Sequence, residues 1–164
     1  LKTGPTSLIP SMFFSVIISI TPSEFKTSVK SIQMGAITSR DWQPLHRDQT
    51  WSKEVGKLPD IIMNNYTYSG WLSRYITDWA GPSSRIGELD FKMITPIIPN
   101  DLMVFQGEIT KISKCNKNIT WFFIDISILV QDNKVTDSSA KVAIPHNNNP
   151  VNSPWKLKKE DWNP

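Results

Sequence analysis

The hydrophobic period of this chain changes at Gly81 and Pro82, and this change restricts the fold more than any other feature of the sequence. Before it, over residues 65–80, apolar side chains recur at steps of three and four, which predicts one apolar face on a helix about 24 Å long. Asn64 or Asn65 can cap the start of this helix, and Gly81 followed by Pro82 ends it in the preferred order. A helix of that length fits a buried helix crossed by a wrapped sheet.

After Pro82 apolar and polar residues alternate, as they do in strands with one solvated face. The alternation begins in the strand that contains Phe91 and continues in three further predicted strands, at residues 103–109, 119–130 and 135–144. Short turns between successive strands indicate an antiparallel sheet. The predicted fold class is therefore α+β, with one long helix followed by an antiparallel meander.

Three local predictions concern the remaining segments. Residues 26–38 mix β-branched and polar residues and are predicted to form a strand, or a strand and a turn. Residues 49–55 are predicted to form a short helix with Asp48 as its N-cap. The apolar pattern shifts phase at Phe123 and Ile124, which indicates a bulge in that strand.

Composition describes an ordinary globular domain without a nucleic-acid partner. The 164 residues are 39% hydrophobic and 20% charged, enough for one core in a single domain. The formal net charge of +3 suits an anionic ligand, but no run of Lys or Arg indicates a nucleic-acid surface. The one cysteine, Cys115, excludes an internal disulfide and is expected to be a bystander thiol.

The apolar residues Leu8–Ile20 raise the question of targeting. They are too few to span a bilayer, and Lys2 alone is a poor head for a secretory signal. We therefore expect a cytoplasmic protein without a membrane partner, in which this segment is an arm or edge strand that packs on a neighbour. At the other end, the tail after Pro145 has no core of its own, and Trp155 and Trp162 are predicted to dock it.

One loop carries a pair of residues suited to acid–base chemistry. Asp41 and His46 stand five positions apart, and Pro44 between them excludes a regular helix and favours a bent connection. A carboxylate and an imidazole that converge on one water can act as general base and general acid. The same spacing also fits two side chains that hydrogen-bond each other and simply staple a loop.

The segment Asp41-x-x-Pro44-Leu45-His46-x-Asp48 resembles the hydratase motif of the MaoC-like acyl-CoA dehydratases, the (R)-specific enoyl-CoA hydratases. The resemblance implies the hot dog fold, α+β with an antiparallel β-sheet wrapped around one long central helix. The resemblance continues through the segments 61–64, 70–72, 77–82 and 91–101. Within that family the chain is most similar to actinobacterial-type single-domain subunits, some of which act on steroid or other bulky acyl thioesters beside a partner chain. The resemblance covers residues 24–145, so that residues 1–23 are an N-terminal arm and residues 146–164 a C-terminal tail.

The resemblance implies reversible hydration of a trans-2-enoyl-CoA to an (R)-3-hydroxyacyl-CoA. Asp41 and His46 match the two catalytic residues, which hold and activate one water. Backbone N–H groups at the start of the central helix, at Asn64 and Asn65, match the donors to the thioester oxygen, although the family usually has Gly at the position of Asn64. No metal and no cofactor is implied, because CoA is part of the substrate. The family's sites lie between subunits, which implies a homodimer or a heteromer with another hot dog subunit.

Other interpretations of these residues stay open. Arg40 and Arg47 can donate to the CoA phosphates, or can simply solvate an exposed loop. Asn64 in place of Gly favours a second function, that of a non-catalytic or acyl-binding hot dog subunit that supports a partner's site. A third is a hot dog thioesterase, for which Asp60 and Asp78 are the carboxylates on or near the central helix.

Overall fold

The computed structural model describes residues 18–114, 118–147, 149–159 and 162. Cys115 and most of the segment Leu8–Ile20 lie outside the described residues. The elements in chain order are β1 (Ile18–Lys26), α1 (Val29–Thr38), α2 (Gln49–Glu54), α3 (Asn65–Ala80), β2 (Arg85–Met93), β3 (Leu102–Lys114), β4 (Ile119–Val130) and β5 (Asn133–Pro145). Three-residue 3₁₀ turns lie at Pro44–His46, Pro150–Asn152 and Pro154–Lys156.

The five strands form one antiparallel sheet in the order β1-β3-β4-β5-β2. Helix α3 lies along one face of this sheet and contributes four buried side chains to the core: Tyr68, Leu72, Tyr75 and Ile76. They pack against inward-facing residues of the central strands, among them Phe105, Ile126 and Val142. The predicted α+β hot dog architecture, a sheet around one long helix, is confirmed.

Both helices that were predicted from caps and periodicity are present. Helix α3 has the predicted bounds, with Asn64 as its N-cap, and it ends at Gly81, whose φ of 83° is a left-handed geometry that favours glycine. Helix α2 begins after Asp48, whose carboxylate accepts a hydrogen bond of 2.9 Å from the backbone N–H of Trp51. Asp48 is therefore an N-cap, as predicted.

The prediction of a strand over residues 26–38 is wrong beyond Lys26, because Val29–Thr38 is helix α1. Ser28 caps this helix: its hydroxyl accepts from the N–H of Ser31, and the Ser31 hydroxyl accepts from the N–H of Ser28. This reciprocal capping box stabilises a helix start in spite of the β-branched residues that follow. Ile32 and Ala36, four positions apart, form the buried face of α1.

The structure has a bulge next to Phe123 and Ile124, but the extra residue belongs to the neighbouring strand β3 and not to β4. Ile109 and Lys111 of β3 pair with Ile124 and Phe123 of β4, so the extra residue is Thr110 of β3. Strand β4 itself alternates: Ile124, Ile126 and Ile128 face α3, whereas Ile119 and Trp121 face a second, smaller cluster on the other side of the sheet. The sequence shows a phase shift because different faces are covered at the two ends of β4.

The C-terminal tail is docked through both predicted tryptophans. The indole N–H of Trp155 donates to the carbonyl oxygen of Ser84 at 3.1 Å. The guanidinium of Arg85 lies 4.8 Å from the ring centre of Trp155 and 3.7 Å from that of Trp162, as in cation–π contacts. Trp162 also packs on Trp121, with 4.8 Å between ring centres. The tail therefore covers one end of the sheet face that α3 leaves open, around Ile119 and Trp121.

At the other end of the chain, β1 pairs with β3 at the edge of the sheet, from Ile18 opposite Ile109 to Lys26 opposite Leu102. The sheet therefore begins within the segment 1–23 that the sequence assigns to an arm. No helix in the described ranges is long and apolar enough to cross a membrane.

Candidate active site

Asp41 is placed by the turn that ends helix α1. Arg40, just after the helix, has a φ of 55°, and its N–H donates to the carbonyl of Ile37 at 3.1 Å. The N–H of Asp41 donates to the carbonyl of Ala36 at 2.9 Å. These two bonds form a Schellman motif, with a left-handed residue just beyond the helix end. The motif reverses the chain, so that Asp41 emerges close to the helix.

His46 is placed by the 3₁₀ turn that Pro44 begins. Its ring Nδ1 lies 2.7 Å from the carbonyl oxygen of Ile62, and the N–H of Ile62 donates to the carbonyl of Leu45 at 2.9 Å. A carbonyl oxygen can only accept, so Nδ1 carries the proton, and Nε2 of the neutral ring is an acceptor. The extended segment before α3 thus fixes both the orientation and the tautomer of His46.

The two turns bring Asp41 and His46 together. His46 Nε2 lies 3.4 Å from Asp41 Oδ2, and the two side chains are only 12% and 16% exposed. The convergence that the proline-containing loop predicts is therefore present, whereas the catalytic roles of the two residues stay a prediction. With Nδ1 bonded to a carbonyl, the two atoms that face each other are both acceptors whenever the ring is neutral. One water beside the pair can donate one hydrogen to each.

Asn64, the buried N-cap of α3, is the third residue of this group. Its amide Nδ2 donates to Asp41 Oδ2 at 3.0 Å and to Ser39 Oγ at 2.9 Å, while its Oδ1 accepts from the backbone N–H of Thr67 at 3.0 Å. The backbone of Asn64 is extended, with φ −85° and ψ 162°, so it does not use the left-handed geometry that Asn tolerates. The sequence alone did not indicate the contact between Asn64 and Asp41.

A cleft of about 350 Å³ opens beside His46 and the start of α3. Asn65, exposed in the first turn of α3, lies on its wall, so two of the predicted substrate-binding residues face the cleft. Its lining residues are His46, Ile62, Met63, Asn64, Asn65, Tyr68, Met93, Ile94, Thr95 and Pro96. A larger groove of about 440 Å³ lies between α1 and α3 and is lined by neither Asp41 nor His46. Asp41 does not line the smaller cleft either, but it contacts His46 and Asn64, which do. The smaller cleft is therefore the candidate active site.

Arg40 and Arg47 are exposed and do not line the cleft. Arg40 serves the backbone turn at the end of α1, and the guanidinium Nε of Arg47 donates to the carbonyl of Trp42 at 3.2 Å. Their proposed contacts with CoA phosphates stay a prediction.

Tyr68 forms the buried end of the cleft, a position that the sequence indicated only as core. Its hydroxyl lies 3.4 Å from the carbonyl oxygen of Thr95 and accepts from the N–H of Ile97 at 3.2 Å. Burial raises the pKa of Tyr68 to about 12, because the phenolate would be poorly solvated. The hydroxyl is therefore neutral at physiological pH and anchors the loop that forms the far wall.

The other two carboxylates near α3, Asp60 and Asp78, form pairs with side chains outside the cleft. Burial by itself would raise the pKa of Asp60, but hydrogen bonds from Gln49, from the N–H of Ile61 and from Lys53 outweigh burial and lower it. Asp78 is exposed and pairs with Arg74 one turn away. Neither lines the cleft. Within the described ranges, no three His, Cys, Asp or Glu side chains are grouped so that they could hold a metal ion.

Known proteins resemble this chain in sequence. Residues 19–121 match the MaoC like domain family. Over 78 residues the chain is 36% identical to the 3-oxo-4,17-pregnadiene-20-carboxyl-CoA hydratase beta subunit of Mycobacterium tuberculosis. The match covers 48% of this chain and 60% of that protein, so the chain spans less than two thirds of this relative's length.

Solved structures resemble it in fold. The ChsH1-ChsH2 complex from Mycobacterium tuberculosis contains a chain with a TM-score of 0.69 and 22% identity, covering 80% of this chain and 99% of that one. The R-hydratase PhaJ1 from Pseudomonas aeruginosa has a TM-score of 0.69 and 17% identity, covering 79% of this chain and 81% of that one. At these identities the likeness shows the hot dog fold alone. The family match, by contrast, extends over more than half of the sequence, and the chain therefore belongs to the MaoC-like dehydratase family.

Proposed function

We propose that this chain carries the catalytic acid–base pair of an enoyl-CoA hydratase, which reversibly converts a trans-2-enoyl-CoA to an (R)-3-hydroxyacyl-CoA. The observation that carries the proposal is the 3.4 Å approach of His46 Nε2 to Asp41 Oδ2 beside the cleft. Membership of the MaoC-like family supports the reaction type.

In the hydration direction, a water that donates to both acceptors attacks Cβ of the enoyl group. Asp41 accepts a proton from this water as the new C–O bond forms and the π electrons move toward the thioester oxygen. The proton on Asp41 passes to the unprotonated Nε2 of His46 and from there to Cα of the enolate, so that both residues return to their starting protonation states. Water is added across the double bond without oxidation or reduction, so no cofactor is required. Such positioned groups typically contribute about 10² to 10⁴ in rate.

The enolate oxygen needs donors, and the start of α3 supplies them. The first N–H groups of a helix have no acceptor within the helix, and the helix dipole is positive at this end. Asn64 Oδ1 takes the N–H of Thr67, while Asn65 lies on the cleft wall. We assign the backbone N–H groups at Asn64 and Asn65 as donors to the thioester oxygen.

The substrate and the partner are inferred from the relatives. Similarity to a beta subunit of a hydratase for a steroid-derived acyl-CoA favours a bulky acyl chain and a heteromer with another hot dog subunit. The cleft is not enclosed by this single chain, which leaves room for a partner subunit to complete its wall. A homodimer remains the alternative arrangement.

A second candidate function is a non-catalytic hot dog subunit that supports a partner's site. Asn64 in place of the family's glycine favours it, whereas the Asp41–His46 contact argues against it. A thioesterase is disfavoured, because Asp60 and Asp78 are paired with other side chains and lie away from the cleft.

The test follows loss of enoyl absorbance with crotonyl-CoA and with bulky enoyl-CoAs, for the purified chain alone and co-purified with candidate hot dog partners. Asp41→Asn and His46→Ala should each lower turnover by at least about a hundredfold without unfolding the chain. Asp48→Ser is the matched control, since it removes a nearby carboxylate, keeps a helix cap, and should leave turnover unchanged. Turnover that survives in Asp41→Asn or His46→Ala, or an absence of turnover in every pairing, would favour the supporting subunit. Release of free CoA would favour the thioesterase.

A further inference from the structure

The side chain of Asn64 is 2% exposed and uses both ends of its amide. Its Oδ1 accepts from the backbone N–H of Thr67 and lies 2.5 Å from the Thr67 hydroxyl. Its Nδ2 donates to Ser39 Oγ and to Asp41 Oδ2. The amide thus joins the start of α3 to the turn after α1.

These partners permit one orientation of the amide. A flipped Asn64 would place its Nδ2 against the N–H of Thr67 and its oxygen against the Asp41 carboxylate, so that donor would face donor and acceptor would face acceptor. The cap therefore dictates that the NH₂ group points at Asp41. Because Oδ2 is also the oxygen nearest His46, this donor holds the carboxylate in its approach to the imidazole.

We propose that Asn64 is a positioning residue, which acts on the reaction through Asp41 by holding its carboxylate against His46. The inference deepens the proposed function and rests on it. In this role the Asn64 side chain does not touch substrate, and it couples formation of helix α3 to assembly of the acid–base pair. The carboxylate has a second donor, the N–H of Gln43 on Oδ1, at a longer distance of 3.3 Å. Loss of the Asn64 amide should therefore loosen Asp41 without expelling it.

Asn64→Ser separates the two uses of the side chain. Serine is as good an N-cap as asparagine, so the helix start is kept. Its hydroxyl, however, ends about one bond length, roughly 1.3 Å, short of the position of Nδ2 and cannot reach Asp41. We expect kcat to fall at least about tenfold with KM little changed, since small misplacements of a catalytic group are costly. The unfolding midpoint should fall, because the buried hydrogen bonds to Asp41 and Ser39 are lost, but the chain should stay folded under assay conditions. Asn64→Asp, which also caps but places a second carboxylate beside Asp41, should lower kcat at least as much.

A double-mutant cycle tests whether the effect of Asn64→Ser on turnover depends on the carboxylate of Asp41. If Asn64 acts through Asp41, then Asn64→Ser should change turnover less than about twofold in the Asp41→Asn background. Losses that multiply would overturn the inference, as would a rise in KM at constant kcat, which would mean direct contact with substrate.

A spectroscopic measurement keeps the test independent of activity. The chain has two histidines, and His146 lies in the tail against Thr120, so the ring signals of His46 can be assigned by its substitution. At one fixed pH, Asn64→Ser and Asp41→Asn should both move the His46 Hε1 resonance, and Asp48→Ser should not. An unmoved resonance in Asn64→Ser would refute the positioning role. A moved resonance in a protein without hydratase activity would support positioning and reject the proposed function.

Discussion

Gly35 of α1 and Thr67 of α3 lie in such close contact that a Cβ at position 35 would be 2.1 Å from Thr67 Oγ1 and 3.0 Å from Thr67 Cβ. Rotation of the Thr67 side chain cannot relieve the second distance, because Cβ does not move with χ1. The two helices can therefore approach this closely only with glycine at position 35. Their approach brings the end of α1, with Ser39 and Asp41, to the cap of α3 at Asn64.

Replacement of Gly35 by alanine should force α1 away from α3. Although alanine is the better helix former, we expect Gly35→Ala to lower the free energy of unfolding by about 1–3 kcal/mol, as overpacking does. The matched control is Gly70→Ala, because a Cβ at Gly70 meets no atom within 4 Å. That variant should be more stable by about 0.5–1 kcal/mol. Denaturant unfolding measures both, and a Gly35→Ala protein as stable as Gly70→Ala would contradict the contact.

The sequence predicts those helices whose caps and apolar periodicity are evident within the segment itself. Helix α3 was predicted with its bounds because a long apolar period, a cap at Asn64 and a stop at Gly81 agree. Helix α1 was missed because its capping box uses Ser31 in place of the usual Glu or Gln, and because Met34 on its exposed face gave the pattern of a strand. A recognised N-cap would have predicted helix α1 even though its apolar residues show only a weak helical period.

In the candidate site, too, local sequence predicts some contacts, whereas others depend on how distant segments pack. Pro44 constrains the short loop between Asp41 and His46, so their convergence could be predicted from local sequence. The contact between Asn64 and Asp41 spans 23 positions and depends on how closely two helices pack, which the spacing of residues in the sequence does not state. Arg40 illustrates the same limit, because its charge suggested a ligand whereas its backbone geometry shows a turn residue.

Arg40→Gly should separate these two uses of Arg40. Its φ of 55° is unfavourable for a residue with a Cβ, so glycine should raise the free energy of unfolding by about 1 kcal/mol. If the guanidinium also meets CoA phosphate, KM for the acyl-CoA should rise several-fold while stability increases. Arg40→Asn, which removes the charge but tolerates the left-handed turn, should reproduce the change in KM. An unchanged KM in both variants would assign Arg40 to the turn alone.

Asp60 should make the stability of the chain depend on acid pH. Its carboxylate accepts from Gln49 and Ile61 and lies 3.1 Å from Lys53 Nζ, which ties α2 to the segment before α3. The pKa of Asp60 in the folded protein is lower than its ordinary value of 3.8, so its contribution is complete well above that pH and is lost as the pH falls through the folded pKa.

Asp60→Asn should therefore cost about 1 kcal/mol at pH 7, and the difference from the unsubstituted protein should shrink below about pH 4. Urea unfolding at several pH values measures this difference. The exposed Asp78→Asn serves as control and should change stability by only a few tenths of a kcal/mol at any pH. A cost of Asp60→Asn that is the same at pH 3 and pH 7 would show that the charge of Asp60 contributes nothing.

Tyr68 should make the stability of the chain fall as the pH rises into the alkaline range, whereas the contribution of Asp60 is lost as the pH falls. Burial raises its pKa to about 12 from an ordinary value of 10.0, so the folded chain keeps the phenolic proton while the unfolded chain loses it. The contribution of Tyr68 is thus complete below pH 10 and is lost as the pH rises through about 12. At pH 7, Tyr68→Phe leaves the N–H of Ile97 without its acceptor and should cost about 1–3 kcal/mol.

The cost of Tyr68→Phe should consequently narrow between pH 10 and pH 12, because only the protein with the phenol loses stability from this group. Lysines that titrate in the same range are common to both proteins, so their effects cancel in the difference. Tyr66→Phe, which removes the same hydroxyl from a tyrosine that is 60% exposed, is the control. The measurement is the difference in unfolding midpoint between each variant and the unsubstituted protein across this pH range. A constant difference for Tyr68→Phe would mean that the Tyr68 hydroxyl is open to solvent, and that the cleft extends past Tyr68 into the core.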